Sequence, residues 1–211
     1  MTDAQSVRRG RPRSFDRAAA LRRAMIVFWQ HGYEGTSMTQ LVEAMGIASP
    51  SIYAAFGSKE GLFREAVALY LSSEVEPVWA ALEEIADLQG ALRAMLHAAI
   101  DRFAAADAPH GCLVILGTGH LGGVGTSIGM FLRQKRRDFG GRLVKRLDRA
   151  VEDGDLPPGS DTETLGECVL AFFDGLAISA VDGADPAVMR KSADFFSAGM
   201  IGHAFYVPSG T

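Results

Sequence analysis

Cysteine is nearly missing: Cys112 and Cys168 are the only two in 211 residues. That is too few for a secreted disulfide framework. No positively charged segment followed by an apolar one opens the sequence, which argues against a secretory leader. No apolar run approaches the roughly 20 residues that a membrane-spanning helix needs. Together these gaps lead to the expectation of a cytoplasmic protein with no membrane partner. Alternating Val-, Ile- and Thr-rich runs are also scarce, so no sheet is expected. His31, His97, His110, His120 and His203 show no metal-ligand spacing, and neither a metal nor a cofactor is expected. What is present is ordinary for a folded chain. Apolar residues make up 48% and charged residues 22%, which excludes disordered and collagen-like classes. The length fits one large or two small domains, and no repeat of fixed period is visible.

The net charge of −4 conceals an uneven distribution. Residues 1–23 carry seven Arg against Asp3 and Asp16, a balance of +5. Residues 1–72 sum to +3 and the remaining 139 to −7. A basic head on an acidic body calls for an anionic partner at the head alone.

Residues 1–13 lack apolar periodicity and contain Gly10 and Pro12, the marks of a mobile basic arm. From Phe15 onward Ala18, Leu21, Met25 and Phe28 recur at helical steps. Ser14 is the expected N-cap of that helix and Gly32 its C-cap. Thr36 or Ser37 caps a short second helix carrying Leu41, Val42 and Met45, which stops at Gly46. Ser49 before Pro50 signals a third start, cap then first-turn proline, over Ile52, Tyr53 and Phe56. Ser58 caps a fourth helix whose buried side holds Leu62, Phe63, Ala66, Val67 and Tyr70. Pro77 marks the expected domain boundary. Further helical patterns follow at about 77–87, 90–106, 127–153, 161–182 and 186–205. The architecture expected is all-α. A tri-helical unit with a connecting helix occupies 14–76, and a larger helical domain occupies 77–211.

Met38–Phe56 has the form of a helix-turn-helix: a short helix ending at glycine, a three-residue turn, then a second helix. Gly46 supplies the φ > 0 that such a turn needs, and Ile47 and Ile52 lock the two helices beneath it. The second helix would enter a major groove with its N-terminal residues leading. A generic helical hairpin is the competing reading, and the basic arm weighs against it.

Residues 9–71 resemble the DNA-binding domain of the tetracycline-repressor (TetR/AcrR-type) family of bacterial transcriptional regulators. The resemblance is carried by the aromatic-Gly-Tyr stretch Phe28–Tyr33, Thr36-Ser37, Gly46-Ile47-Ala48-Ser49, Ile52-Tyr53, Phe56, Lys59-Glu60 and Leu62-Phe63. It covers under a third of the chain and implies, for the rest, a helical ligand-binding and dimerisation domain. It also implies phosphate contacts by Tyr53 and Lys59, and groove-floor positions at Thr39, Ser49, Pro50, Ser51, Ala54 and Ala55. Thr36 and Ser37 join the expected DNA-contact set. Chemistry supports these positions. A Tyr hydroxyl and a Lys at a helix N-terminus suit phosphate oxygens, and small side chains permit close approach to a thymine methyl. Two departures from the family pattern are Val42, where alanine is common, and Ala54-Ala55, which lack long polar side chains. Arg9-Gly10-Arg11-Pro12-Arg13 matches the Gly-Arg-Pro core of A·T-hook peptides, so Arg9, Arg11 and Arg13 are expected at a minor groove or on phosphates.

Several features favour plainer readings. Gly117-Thr118-Gly119-His120-Leu121-Gly122 satisfies the dinucleotide fingerprint, but no second strand follows and Asp138 lies in a helical stretch. The glycines there are expected to interrupt a helix beside a ligand cavity. The eight Lys and Arg of 133–149 are read as a solvated helix face. Cys112 is read as a buried structural thiol, and Asp174 as paired across an interface or facing a ligand. Trp79, Met95, Phe103, Cys112, His120, Phe131, Phe172 and Phe173 are the candidate pocket lining. The function expected is a ligand-responsive, homodimeric transcriptional regulator, not an enzyme. It would act as a repressor and be released from a palindromic double-stranded DNA operator by an unknown small-molecule effector. The alternatives are a dinucleotide-dependent enzyme using the Gly117–Gly122 loop, and a constitutive DNA-binding protein without ligand.

Overall fold

The computed structural model describes residues 15–117 and 126–203, which form helices and no strand. Helix α1 (Arg17–Gly35) buries Ala20, Ala24, Met25, Phe28 and Trp29 along one stripe, as the spacing requires. Its cap is Asp16, whose carboxylate accepts from the Ala19 N–H at 3.0 Å. Ser14, the expected cap, lies outside the described residues. Regular helical geometry breaks at Gly32 (φ 68°, ψ 178°), a combination open in practice to glycine alone.

Helix α2 (Met38–Met45) begins with a complete capping box. The Ser37 hydroxyl accepts from the Gln40 N–H, and the Gln40 carbonyl oxygen accepts from the Ser37 N–H at 2.7 Å. Gly46 is left-handed at φ 68°, and its N–H returns to Val42 O at 3.0 Å. Helix α3 (Ser49–Phe56) differs from expectation by one residue. Its cap is Ala48, whose carbonyl accepts from Ser51 and Ile52. Ser49 is therefore the first helical residue and Pro50 the second. Proline donates nothing, and the first turn has no helical acceptor for that donor in any case. Helix α4 (Lys59–Tyr70) is capped by Ser58, which accepts from Gly61 N–H at 2.9 Å.

Pro77 interrupts nothing. The chain passes from α4 through a π-helical segment, Leu71–Val75, into α5 (Glu76–Glu84), with Pro77 in the first turn of α5. The chain then continues through α6 (Leu88–Phe103), a single turn α7 (Leu113–Leu116), α8 (Ser127–Asp153), α9 (Thr162–Val181) and α10 (Pro186–His203). Helix α6 lies between α5 and α10 and also packs on α9, while α8 lies against α9. Trp79, Met95, Phe103, Phe173 and Leu143 are buried there. Phe103 meets Phe173 edge-on at 5.2 Å, and Trp79 stacks on Phe139 at 5.3 Å.

The basic run on α8 is more structural than a solvated face. Arg146 is buried and donates to Leu82 O, Ile85 O and Ala86 O at 3.1, 3.2 and 2.7 Å. It thereby occupies carbonyls left open at the end of α5. Arg142 bridges Glu76 and Glu83 at 2.9 and 2.7 Å, and Arg136 donates to Val114 O at 2.9 Å. The expectation on apolar runs also needs amendment. Thr162–Val181 is long and apolar enough to cross a membrane by those criteria alone. Among the described residues, one side of α9 faces the core: Val169, Phe173, Leu176, Ala177 and Ala180 are buried, whereas Ile178 and Val181 are exposed.

Candidate nucleic-acid interface

Three aromatic residues form the base on which α3 rests. Phe28 of α1 meets Phe63 of α4 edge-on at 5.0 Å, and Tyr33 meets Phe63 at 5.1 Å. Ile52 and Phe56 point inward from α3 and are buried. The opposite side of α3 is thereby fixed outward: Pro50, Tyr53 and Ala54 are exposed, and Ser49, Ser51 and Ala55 are half-buried. Tyr53 is 47% exposed, an unusual position for an aromatic residue on a helix this short unless something is to lie against it. Thr39 on α2 is exposed beside them.

Lys59 opens α4 with its ammonium 4.3 Å from the centre of the Tyr33 ring. Partial burial lowers its pKa and, with the charge of Glu60, raises that of Tyr33. The cation–π contact holds the lysine at the N-terminus of α4, where the helix partial charge is also positive.

Two expected contacts take other roles. Thr36 is buried, and its hydroxyl donates to Gly32 O at 2.6 Å. It ties the end of α1 to the start of α2 and is withdrawn from the contact set. The Ser37 hydroxyl is engaged on both sides by Gln40, so capping is its first function. Arg9, Arg11 and Arg13 lie outside the described residues.

Arginines that periodicity did not single out complete the head. Arg17 pairs with Glu65 at 2.7 Å, donates to Ala55 O at 3.2 Å and covers the Phe56 ring at 4.3 Å. Arg23 donates to Met45 O at 3.3 Å, supporting the end of α2. The sequence signal for both is only the basic excess of the first 23 residues, which marks the head as a whole.

Among the described residues, the candidate pocket set is found mostly in the core. Trp79, Met95, Phe103, Cys112 and Phe173 are core, Phe131 lies under the Arg64 guanidinium at 4.5 Å, and His120 lies outside the described residues. Phe172 stacks on Phe196 of α10 at 4.2 Å and lines an outward groove with Val188 and Phe195. Cys112 is enclosed beside the Tyr70 hydroxyl, and burial pushes both pKa values up. A separate open cleft of about 1190 Å³ runs between α8 and α9, with Arg136, Gly140, Glu167, Cys168 and Asp174 along it.

A capped short helix, a left-handed glycine turn and a second helix locked from below define a helix-turn-helix protein of the DNA-binding class. Comparison with known proteins agrees. The family model described as "Bacterial regulatory proteins, tetR family" matches residues 20–66. The HTH-type transcriptional repressor ComR of Escherichia coli (strain K12) is 37% identical over 177 residues, covering 83% of this chain and 84% of ComR. The HTH-type transcriptional repressor BdcR of the same organism is 34% identical over 117 residues, covering 56% of this chain and 59% of BdcR. A cysteine-substituted TetR-family transcriptional regulator, CifR, solved with 26-bp double-strand operator DNA, superposes with a TM-score of 0.82. It is 36% identical over 91% of this chain and 98% of the CifR chain. The chain belongs to the TetR family of bacterial transcriptional regulators and is a DNA-binding protein.

Proposed function

We propose that this protein is a homodimeric repressor that binds an inverted-repeat operator and releases it when a small molecule binds the C-terminal helices. The observation that carries the DNA reading is the exposed side of α3: Ser49, Pro50, Ser51, Tyr53 and Ala54 face outward from a helix held by Ile52 and Phe56. That the similar regulator CifR was solved with double-strand operator DNA supports a DNA partner for this chain. On this reading Tyr53 and Lys59 hold phosphates, while Thr39, Ser49, Ser51, Ala54 and Ala55 lie against base edges. The arm residues Arg9, Arg11 and Arg13 add counterion release and a preference for A·T pairs.

Dimerisation is supported by the uncovered side of α9 and α10. Val188 and Phe195 are 57% and 83% exposed. A bulky apolar group left in water costs about 1.5–3 kcal/mol relative to burial. Ala171, Gly175 and Ser179 form a small-residue stripe beside them, along a groove shared with α10. A Cβ on Gly175 would meet nothing within 4 Å, which leaves room for a partner helix.

For the effector, the α8–α9 cleft replaces the aromatic set. Asp174 lies in it, with burial raising its carboxyl pKa against the opposing field of Arg136. A ligand with both charged and apolar parts suits such a surface.

Operator-variant binding measured across a salt series tests the reading. Deleting residues 1–13 should lower the slope of log affinity against log salt by about 0.9 per lost phosphate contact. Tyr53→Phe and Lys59→Ala should weaken all operators alike, whereas Ser51 and Ala54 variants should change which sequence is preferred. If Tyr53→Phe changes the preferred sequence, the assigned side of α3 is wrong.

A further inference from the structure

The segment from Gly111 to Gly117 is wedged between α9 and the DNA-binding head, and it touches both with backbone atoms. On the α9 side, Gly111 (φ +76°) lies so close that an added Cβ would stand 2.8 Å from Val181 Cγ2 and 3.0 Å from Ala177 O. On the head side, the Trp29 indole N–H donates to Gly111 O at 3.3 Å, and the Tyr33 N–H donates to Gly117 O at 2.9 Å. The second bond exists only because residue 32 has no side chain. A Cβ on Gly32 would lie 3.0 Å from that same Gly117 oxygen, in a backbone conformation that other residues rarely adopt. A second attachment closes nearby. Ser127, the first residue of α8, donates to Glu60 Oε1 at 2.7 Å and accepts from Arg64 Nη2 at 2.8 Å. Glu60 directly follows Lys59 in α4, and Arg64 lies one turn further along the same helix.

We infer that Gly32 and Ser127 are positioning residues for operator binding. They fix the head, through the 111–117 wedge and the start of α8, at a set orientation to α9. The inference rests on the dimeric reading above, in which α9 lies at the subunit interface. Neither residue faces the surface that reads DNA, so neither contributes a contact. Their contribution is geometric. A dimer gains its affinity for an inverted repeat because binding of one head places the second at high effective concentration over its half-site. A head that swings freely loses that advantage while binding an isolated half-site as before. The attachment runs through the backbone of α1 as well as through side chains of α4.

The test compares full-length wild type, Gly32→Ala and Ser127→Ala chains on two duplexes by fluorescence anisotropy. One duplex is a selected inverted repeat, and the other keeps a single half-site of it. Gly32→Ala should lose about tenfold or more on the inverted repeat and change less than about twofold on the half-site. Ser127→Ala, which leaves the backbone bond and all helices intact, should lose about threefold on the inverted repeat with the same indifference on the half-site. Equal losses on both duplexes would show that these residues merely stabilise the head, and unchanged affinity on the inverted repeat would show that the attachments position nothing. Either result overturns the inference while leaving the repressor reading standing. A wild-type chain that binds no inverted repeat overturns that reading and this inference together.

Discussion

Removing the Arg146 guanidinium leaves three carbonyls at the end of α5 without their donor, that of Leu82 buried and those of Ile85 and Ala86 partly buried. Charge-assisted hydrogen bonds contribute about 1.5–3 kcal/mol and an orphaned buried acceptor costs about 1–3. Arg146→Met, which keeps the aliphatic stem, should therefore lose about 2–4 kcal/mol in urea unfolding, and a loss below about 0.5 would show that water replaces the donor. Asp174 gives a pH-dependent case. Burial raises its folded-state pKa above 3.8, so the unfolded chain ionises first as pH rises, and the folded state carries a penalty that is complete once pH passes the folded pKa. Asp174→Asn should be more stable than wild type at neutral pH and equal to it below the ordinary carboxylate pKa. Equal stability at both pH values would mean that Arg136 already compensates the charge. The two thiols should separate in the same way. Exposed Cys168 should react with a disulfide reagent at the rate of a free thiol, while Cys112, buried with a raised pKa, should react only as the chain opens.

Helices that announce themselves by caps were legible residue by residue. The cap at Ser37, one of two the sequence offers, the glycine at 46 and the serine at 58 are local chemistry, while the return contact from Gln40 shows only in the structure. Ser37→Ala should accordingly cost about 1 kcal/mol, measured by thermal unfolding, with the helix content of the folded state retained. Legibility failed where the deciding partner is distant in sequence. Pro77 reads as a boundary because proline interrupts helices, but the π-helical turn Leu71–Val75 before it carries the chain into α5 without a break. The basic run on α8 reads as solvated because nothing nearby in sequence pairs with it; its partners, Glu76, Glu83 and the end of α5, are some 60 residues away. Trp79, Phe103 and Phe173 are candidate pocket residues in the sequence, and the structure buries all three. Their spacing is equally that of a core, and only the three-dimensional contacts distinguish the two. The outward side of α3 was legible for the opposite reason: Ile52 and Phe56 point inward by periodicity, and the remaining residues face out.

At the scale of the molecule, acidic body and basic head divide the work. The head carries the helix-turn-helix, and the uncovered apolar side of α9 and α10 asks for a second copy. Phe195→Asp places a charge in the centre of that side and should give monomers in sedimentation at micromolar concentration. An undisturbed dimer would place the interface elsewhere. The account stands most directly on what DNA the intact protein selects. Selection from a random duplex pool, followed by footprinting of the enriched sequence, is the measurement that decides it. The account predicts an inverted repeat with both half-sites protected on one face of the duplex, bound by an even number of chains. An enriched site without two-fold symmetry, or no enrichment over the starting pool, would contradict it.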